Sequence, residues 1–237
     1  MKSEDQIILS TLQQYADEVA SHGYAVYAIM LKGSQNYNLS DEESDIDANL
    51  IFIPTPKQLR EGKPFKLSFD QGEVTCHNIY AFADIVLKGN PQWIEVCNTK
   101  YKIGSDLSMF QHCTINPSAL KGMIMEKVTA FDKLYPSREK YVKQFGYDPK
   151  QLHHIIRLYD ILEANTNVLE YTGEKRNWMI QIKRGTLLTK KEAFELRDEY
   201  VQKLATIYED RKIKYTPQSI NYDILDNILI NFYRDMP

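Results

Sequence analysis

The chain has little that would staple it covalently or sink it into lipid. Cysteine occurs three times in 237 residues, at Cys76, Cys97 and Cys113. An odd count argues against a disulfide framework, the wide spacing excludes paired metal ligands, and what remains is a set of small buried hydrophobes. No apolar run approaches the ~20 residues of a bilayer crossing, so no membrane partner is expected. Met1 to Gln6 carry acids, and no stretch after them resembles a signal-peptide core, which points to the cytoplasm. An excess of one charge is missing too: 29 basic and 32 acidic residues leave a net charge of −3. That balance argues against a broad nucleic-acid-coating surface, whose strength comes from phosphate neutralisation. Bases do outnumber acids between Lys121 and Lys150, a pattern that reads first as solvated helix faces. Internal repeats and low-complexity segments are absent.

What is present is ordinary for a soluble protein, 43% hydrophobic and 26% charged, with enough chain for one large or two small cores. Ile7, Ile8, Leu12, Tyr15, Ala16 and Val19 make a helical stripe over residues 3–22, ended by His22-Gly23. Tyr24 to Leu31 reads as a buried strand running into Lys32-Gly33-Ser34. After a polar link, Ile46 to Ile53 reads as a second strand, closed by Pro54 and Pro56. Phe65 to Phe69 and Glu73 to Tyr80 alternate about the turn Asp70-Gln71-Gly72.

Helical spacing then takes over at 81–88, at 91–97, where Pro91 suits a first turn, and at 119–134, 137–145, 149–171, 190–211 and 221–233. The fold class is therefore α+β: a mixed sheet flanked by helices over residues 1–98, then a mainly helical region over 99–237 that closes the nucleotide cleft. Periodicity lapses between Thr99 and Pro117, the candidate break.

The informative segment is Lys32-Gly33-Ser34-Gln35-Asn36-Tyr37-Asn38-Leu39 followed by Ser44-Asp45-Ile46-Asp47. Residues i and i+2 of a strand share a face, so Asp45 and Asp47 would present two carboxylates to one point. Adjacent carboxylates repel unless a cation or proton intervenes, and Mg²⁺ takes oxygen ligands of this kind. Gly33 permits a backbone that a side chain would forbid, and N–H groups beside Ser34 suit phosphate oxygens.

Glycine-serine, a linker and an acid-x-acid at a strand start resemble the DNA polymerase beta nucleotidyltransferase superfamily. More narrowly, residues 33–39 and 43–47 resemble the nucleotidyltransferase family associated with RNA-repair gene clusters, with bacterial and phage members. The likeness continues in Glu73-Val74-Thr75-Cys76-His77, in Lys88-Gly89-Asn90-Pro91 with Glu95, in Tyr147-Asp148-Pro149-Lys150 with His154 and Arg157, and in Ile182-Lys183-Arg184-Gly185.

The resemblance implies a nucleoside triphosphate substrate and metals, Mg²⁺ or Mn²⁺, held by three carboxylates. Asp45 and Asp47 match two, and Glu73, in place of the usual aspartate, is the candidate third. It further implies in-line transfer of NMP to a hydroxyl acceptor such as RNA. At least one of the trio should titrate above its ordinary value without metal.

A second signal is the stripe Lys150, His153, His154 and Arg157 at i, i+3, i+4 and i+7, opposite Leu152, Ile155, Ile156, Tyr159 and Leu162. With the resemblance, Lys150, His154 and Arg157 join Gly33 and Ser34 as candidate nucleotide contacts. No companion Cys or His makes the histidines a zinc site. Lys183-Arg184-Gly185 reads as a helix end, and Trp93 and Trp178 as core. Two non-enzymatic readings stand beside transfer: a degenerate nucleotide-binding module, and an RNA-binding accessory protein whose binding is salt-sensitive and Mg²⁺-independent. Acceptor, base preference and oligomeric state are not legible.

Overall fold

The computed structural model describes residues 3–42, 44–211 and 214–234. In chain order these form α1 (Glu4–Ser21), β1 (Ala25–Lys32), a 3₁₀ turn (Ser34–Tyr37), β2 (Asp47–Ile53), α2 (Pro56–Glu61), β3 (Phe65–Phe69), β4 (Gly72–Asn78), α3 (Ile79–Leu87), α4 (Pro91–Cys97), β5 (Lys102–Gly104), α5 (Ser108–Gln111), α6 (Pro117–Ala130), α7 (Glu139–Phe145), α8 (Pro149–Ala164), α9 (Gly173–Arg184), α10 (Lys190–Arg211) and α11 (Tyr222–Arg234). The class is α+β. No helix among the described residues is long and apolar enough to cross a membrane.

Helix starts follow from local chemistry. Ser3 and Gln6 close a capping box on α1. Prolines 56, 91, 117 and 149 each open a helix directly after a capping Thr, Asn, Asn or Asp. There the missing proline N–H costs nothing and the cap side chain satisfies a first-turn donor.

Two compact units share the chain: one from Met1–Asn36, Glu42–Thr114 and Pro217–Pro237, the other from Tyr37–Asp41 and Ile115–Thr216. In the first, the strands order as β3-β4-β2-β1-β5. β2 runs parallel to β4, and the other neighbours are antiparallel. Ile8, Leu12 and Val19 of α1 meet Leu31, Leu50 and Val74 in one core, and each fully buried side chain contributes roughly 1.5–3 kcal/mol. On the opposite face α3 packs on β2 and β4, and α4 on β1. His77 is buried there with Phe82 and Trp93 edge-on to its ring. The three cysteines are free and buried.

In the second unit α8 is the central element, packed by α6, α9 and α10. Its core also takes Tyr37 and Leu39 from the short segment after the glycine-serine turn.

Several sequence expectations shift. The units part between Thr114 and Ile115, inside the Thr99 to Pro117 stretch named as the candidate break but well past residue 98, because β5 pairs with β1 and holds residues 102–104 in the sheet. The C-terminal helix belongs with the sheet: the Tyr80 hydroxyl donates to Asp226 and that of Tyr222 to Asp84, both at 2.5 Å. The helix expected over 149–171 ends at Ala164, where Asn165 turns left-handed at φ +50°. Of the polar helix α9 only the end at Lys183-Arg184-Gly185 was expected, since only Met179 and Ile182 of it are buried.

Candidate active site

The turn after β1 is built around Gly33. Its φ of +117° lies where L side chains rarely go, so this position demands glycine. The Asn36 N–H closes the turn on the Gly33 carbonyl at 3.1 Å. The amide of buried Gln35 donates to the backbone carbonyl of Asp45 at 2.9 Å. Asn36 donates to the Leu31 carbonyl and accepts from the Thr99 hydroxyl. The glycine-serine turn is thus tied directly to the acidic segment.

β2 begins at Asp47, which faces Lys32 across the antiparallel pair. Asp45 stands two residues earlier with its side chain exposed. Neither carboxylate is ion-paired among the described residues. Asp47 Oδ1 accepts the Glu73 N–H at 3.1 Å. Burial first, then the charge of Asp47, then that of Asp45 push the Tyr15 hydroxyl up to about 12. Both negative charges therefore act on one buried oxygen.

Glu73 lies beside Asp47, one step before the Ala48–Val74 pair of the parallel strands. Its carboxylate is engaged by Lys66 at 2.7 Å and Lys32 at 3.8 Å. The Lys66 hydrogen bond, with the charge of both lysines, holds it below the usual carboxylate range. The expected upward shift within the trio is therefore reversed at this member. No three His, Cys, Asp or Glu side chains converge as a metal-holding group among the described residues. As hard oxygen donors without a protein cation, Asp45 and Asp47 fit Mg²⁺ or Mn²⁺. Glu73 would first have to leave its lysines.

No family model matches the chain, and no curated protein matches it. Among solved structures it is similar to a nucleotidyltransferase-like protein from Exiguobacterium sibiricum 255-15, at 12% identity, 85% coverage of this chain, 75% of that one, and a TM-score of 0.31. A likeness at that level carries no weight in assigning chemistry.

The second signal, the expected nucleotide-contacting stripe of Lys150, His153, His154 and Arg157, sits in the other unit. Lys150 is exposed and His154 half-buried, but His153 and Arg157 are 2% and 5% exposed. The guanidinium of Arg157 lies 4.2 Å from the centre of the Tyr37 ring. Segment 37–41 covers this side of the helix: Arg176 donates to Asn38, and Lys183 pairs with Asp41 at 3.1 Å. Burial and then the nearby charge of Arg157 bring His153 down to about 3. His154 is lowered by burial and then by His153 and Arg157.

Sequence reasoning passed over Tyr15, Gln35 and Gly72. Tyr15 was legible only as part of the α1 stripe, Gln35 only as part of the glycine-serine segment, and Gly72 only as part of a turn.

Proposed function

We propose that this protein is a divalent-cation-dependent nucleotidyltransferase that moves an NMP from an NTP to a hydroxyl acceptor. The reading rests on one observation: two carboxylates without a cationic partner, Asp45 and Asp47, tied to a glycine turn through the Gln35–Asp45 hydrogen bond. Two carboxylates brought close together repel unless a cation or proton intervenes. Asp45 and Asp47 would hold Mg²⁺ or Mn²⁺, which when bound neutralises triphosphate charge and acidifies the acceptor hydroxyl. The Gly33-Ser34 turn leaves room for phosphate to approach the backbone, and Gln35 keeps that turn against the acids. RNA is the first acceptor to test, given the resemblance to the RNA-repair family.

The test incubates the protein with each α-labelled NTP, Mg²⁺ or Mn²⁺, and RNA or cell extract, beside Asp45→Ala and Asp47→Ala. Label transfer that survives in both variants would remove the mechanism. A second reading, a nucleotide-binding module without chemistry, is favoured by the two lysines on Glu73. Nucleotide binding with no transfer to any acceptor would select it.

A further inference from the structure

The acid-x-acid segment is held from one side by a turn that the catalytic reading does not use. Ile46, between the two aspartates, donates its N–H to the Gln71 carbonyl at 2.8 Å. Asp47 Oδ1 accepts the Glu73 N–H. Between those two bonds lies Gly72, at φ +154°, so close that an added Cβ would collide with the Ile46 carbonyl oxygen and stand 3.2 Å from Asp47 Oδ1. The turn is itself anchored on α1. Tyr15 stacks on Phe69 at 4.2 Å between ring centres, Phe69 is the partner of Gly72 across the β3–β4 hairpin, and the Thr11 hydroxyl donates to the Gln71 side chain at 3.0 Å.

We propose that Gly72 is a positioning residue: its missing side chain lets the β3–β4 turn press against Ile46 and set the separation of the Asp45 and Asp47 carboxylates. Backbone contact of this kind has little slack, because both partners are main chain held by the hydrogen bonds on either side, so a methyl group must displace the acidic segment. The inference deepens the cation-site reading and rests on it for its functional meaning.

The sheet supplies its own control. Gly104, on the far edge strand β5, has φ +104°, and a Cβ there would meet the Tyr27 carbonyl oxygen at 2.5 Å. Gly72→Ala and Gly104→Ala therefore impose like strain at and away from the acids. Two readouts apply: Mn²⁺ affinity by paramagnetic resonance, and amide hydrogen exchange at Ile46 and Glu73 by NMR. In the wild type both amides should be protected like those of β2. Gly72→Ala should lose that protection and weaken Mn²⁺ binding at least tenfold, while Gly104→Ala lowers stability and leaves both readouts at wild-type values. Equal Mn²⁺ affinity in Gly72→Ala and wild type, or equal losses in the two variants, overturns the proposal. Unprotected Ile46 and Glu73 in the wild type overturn it without any variant, which covers a Gly72→Ala chain that does not fold. Absence of Mn²⁺ binding in the wild type counts against the proposed function, and the positioning role is then decided by the exchange data alone.

Discussion

The two units treat their acids in opposite ways. In the helical unit Asp148 is 1% exposed and fully employed: it caps α8 through the Lys150 N–H and takes a bidentate pair from Arg138 at 2.6 and 2.8 Å. Asp41 pairs with Lys183. In the sheet unit Asp45 and Asp47 have no cation among the described residues, while their neighbour Glu73 has two. Acids that serve the fold are paired where they are buried, since an unpaired buried charge costs several kcal/mol. Acids left unpaired at a strand start are available for something that arrives from solution.

The contrast is sharpened most by Asp45→Ala and Asp47→Ala. Label transfer should fall about a thousandfold in each, because cation-borne charge stabilisation is worth several kcal/mol. Folding stability should move by less than about 0.5 kcal/mol in Asp45→Ala, as surface changes do, and by about 1 kcal/mol in Asp47→Ala, which also removes the acceptor of the Glu73 N–H; urea unfolding checks that half. A loss of stability comparable to the loss of transfer would erase the distinction.

Next in size, Arg138→Ala strands the buried Asp148 carboxylate and should destabilise the helical unit by about 3 kcal/mol, read by urea unfolding. The histidines follow. His153 is held at about 3 by burial and nearby cations, and His77 at about 4 by burial, against an ordinary 6.5. Below pH 6.5 the unfolded chain binds more protons than the folded one, so stability is full above that pH and falls as acid is added toward those lower values. Between pH 7 and 5 each should account for about 2 kcal/mol, and His153→Leu should flatten the slope in the helical unit.

The smallest effect belongs to Glu73→Gln. Exposed ion pairs of this sort are worth about 0–1 kcal/mol, and transfer should stay within about tenfold of wild type. A loss as deep as that of Asp47→Ala would instead make Glu73 the third metal ligand.

Much of this was readable along the chain. The α1 stripe, the strands near residues 25–32 and 47–53, the hairpin about Gln71 and the helices opened by Pro91 and Pro149 all rest on contacts within a few residues, and they stand where the periodicities put them. The glycine turn and acid pair were legible for the same reason, since thirteen residues hold Gly33 and Asp45 in one loop. Elements with weak patterns were lost in whole or part: three-residue β5 is too short for alternation, α2 buries no residue, and polar α9 buries so little that only its end at Lys183-Arg184-Gly185 was legible. The burial of His153 and Arg157 on α8 was not legible, because a cationic face shows its cover only when a distant segment is laid on it.

By itself, then, the sequence determined the α+β class, most helix and strand positions, and the chemical types gathered around residues 33–47. Only the tertiary structure decided that Lys32 and Lys66 claim Glu73, that Tyr37 covers Arg157, that residues 37–41 join the helical unit and that α11 joins the sheet. The physical reason is range. Local periodicity records which face of an element is apolar, whereas charge pairing and burial depend on which distant element comes to lie against that face, and Arg157 and Tyr37 meet across more than a hundred residues of chain.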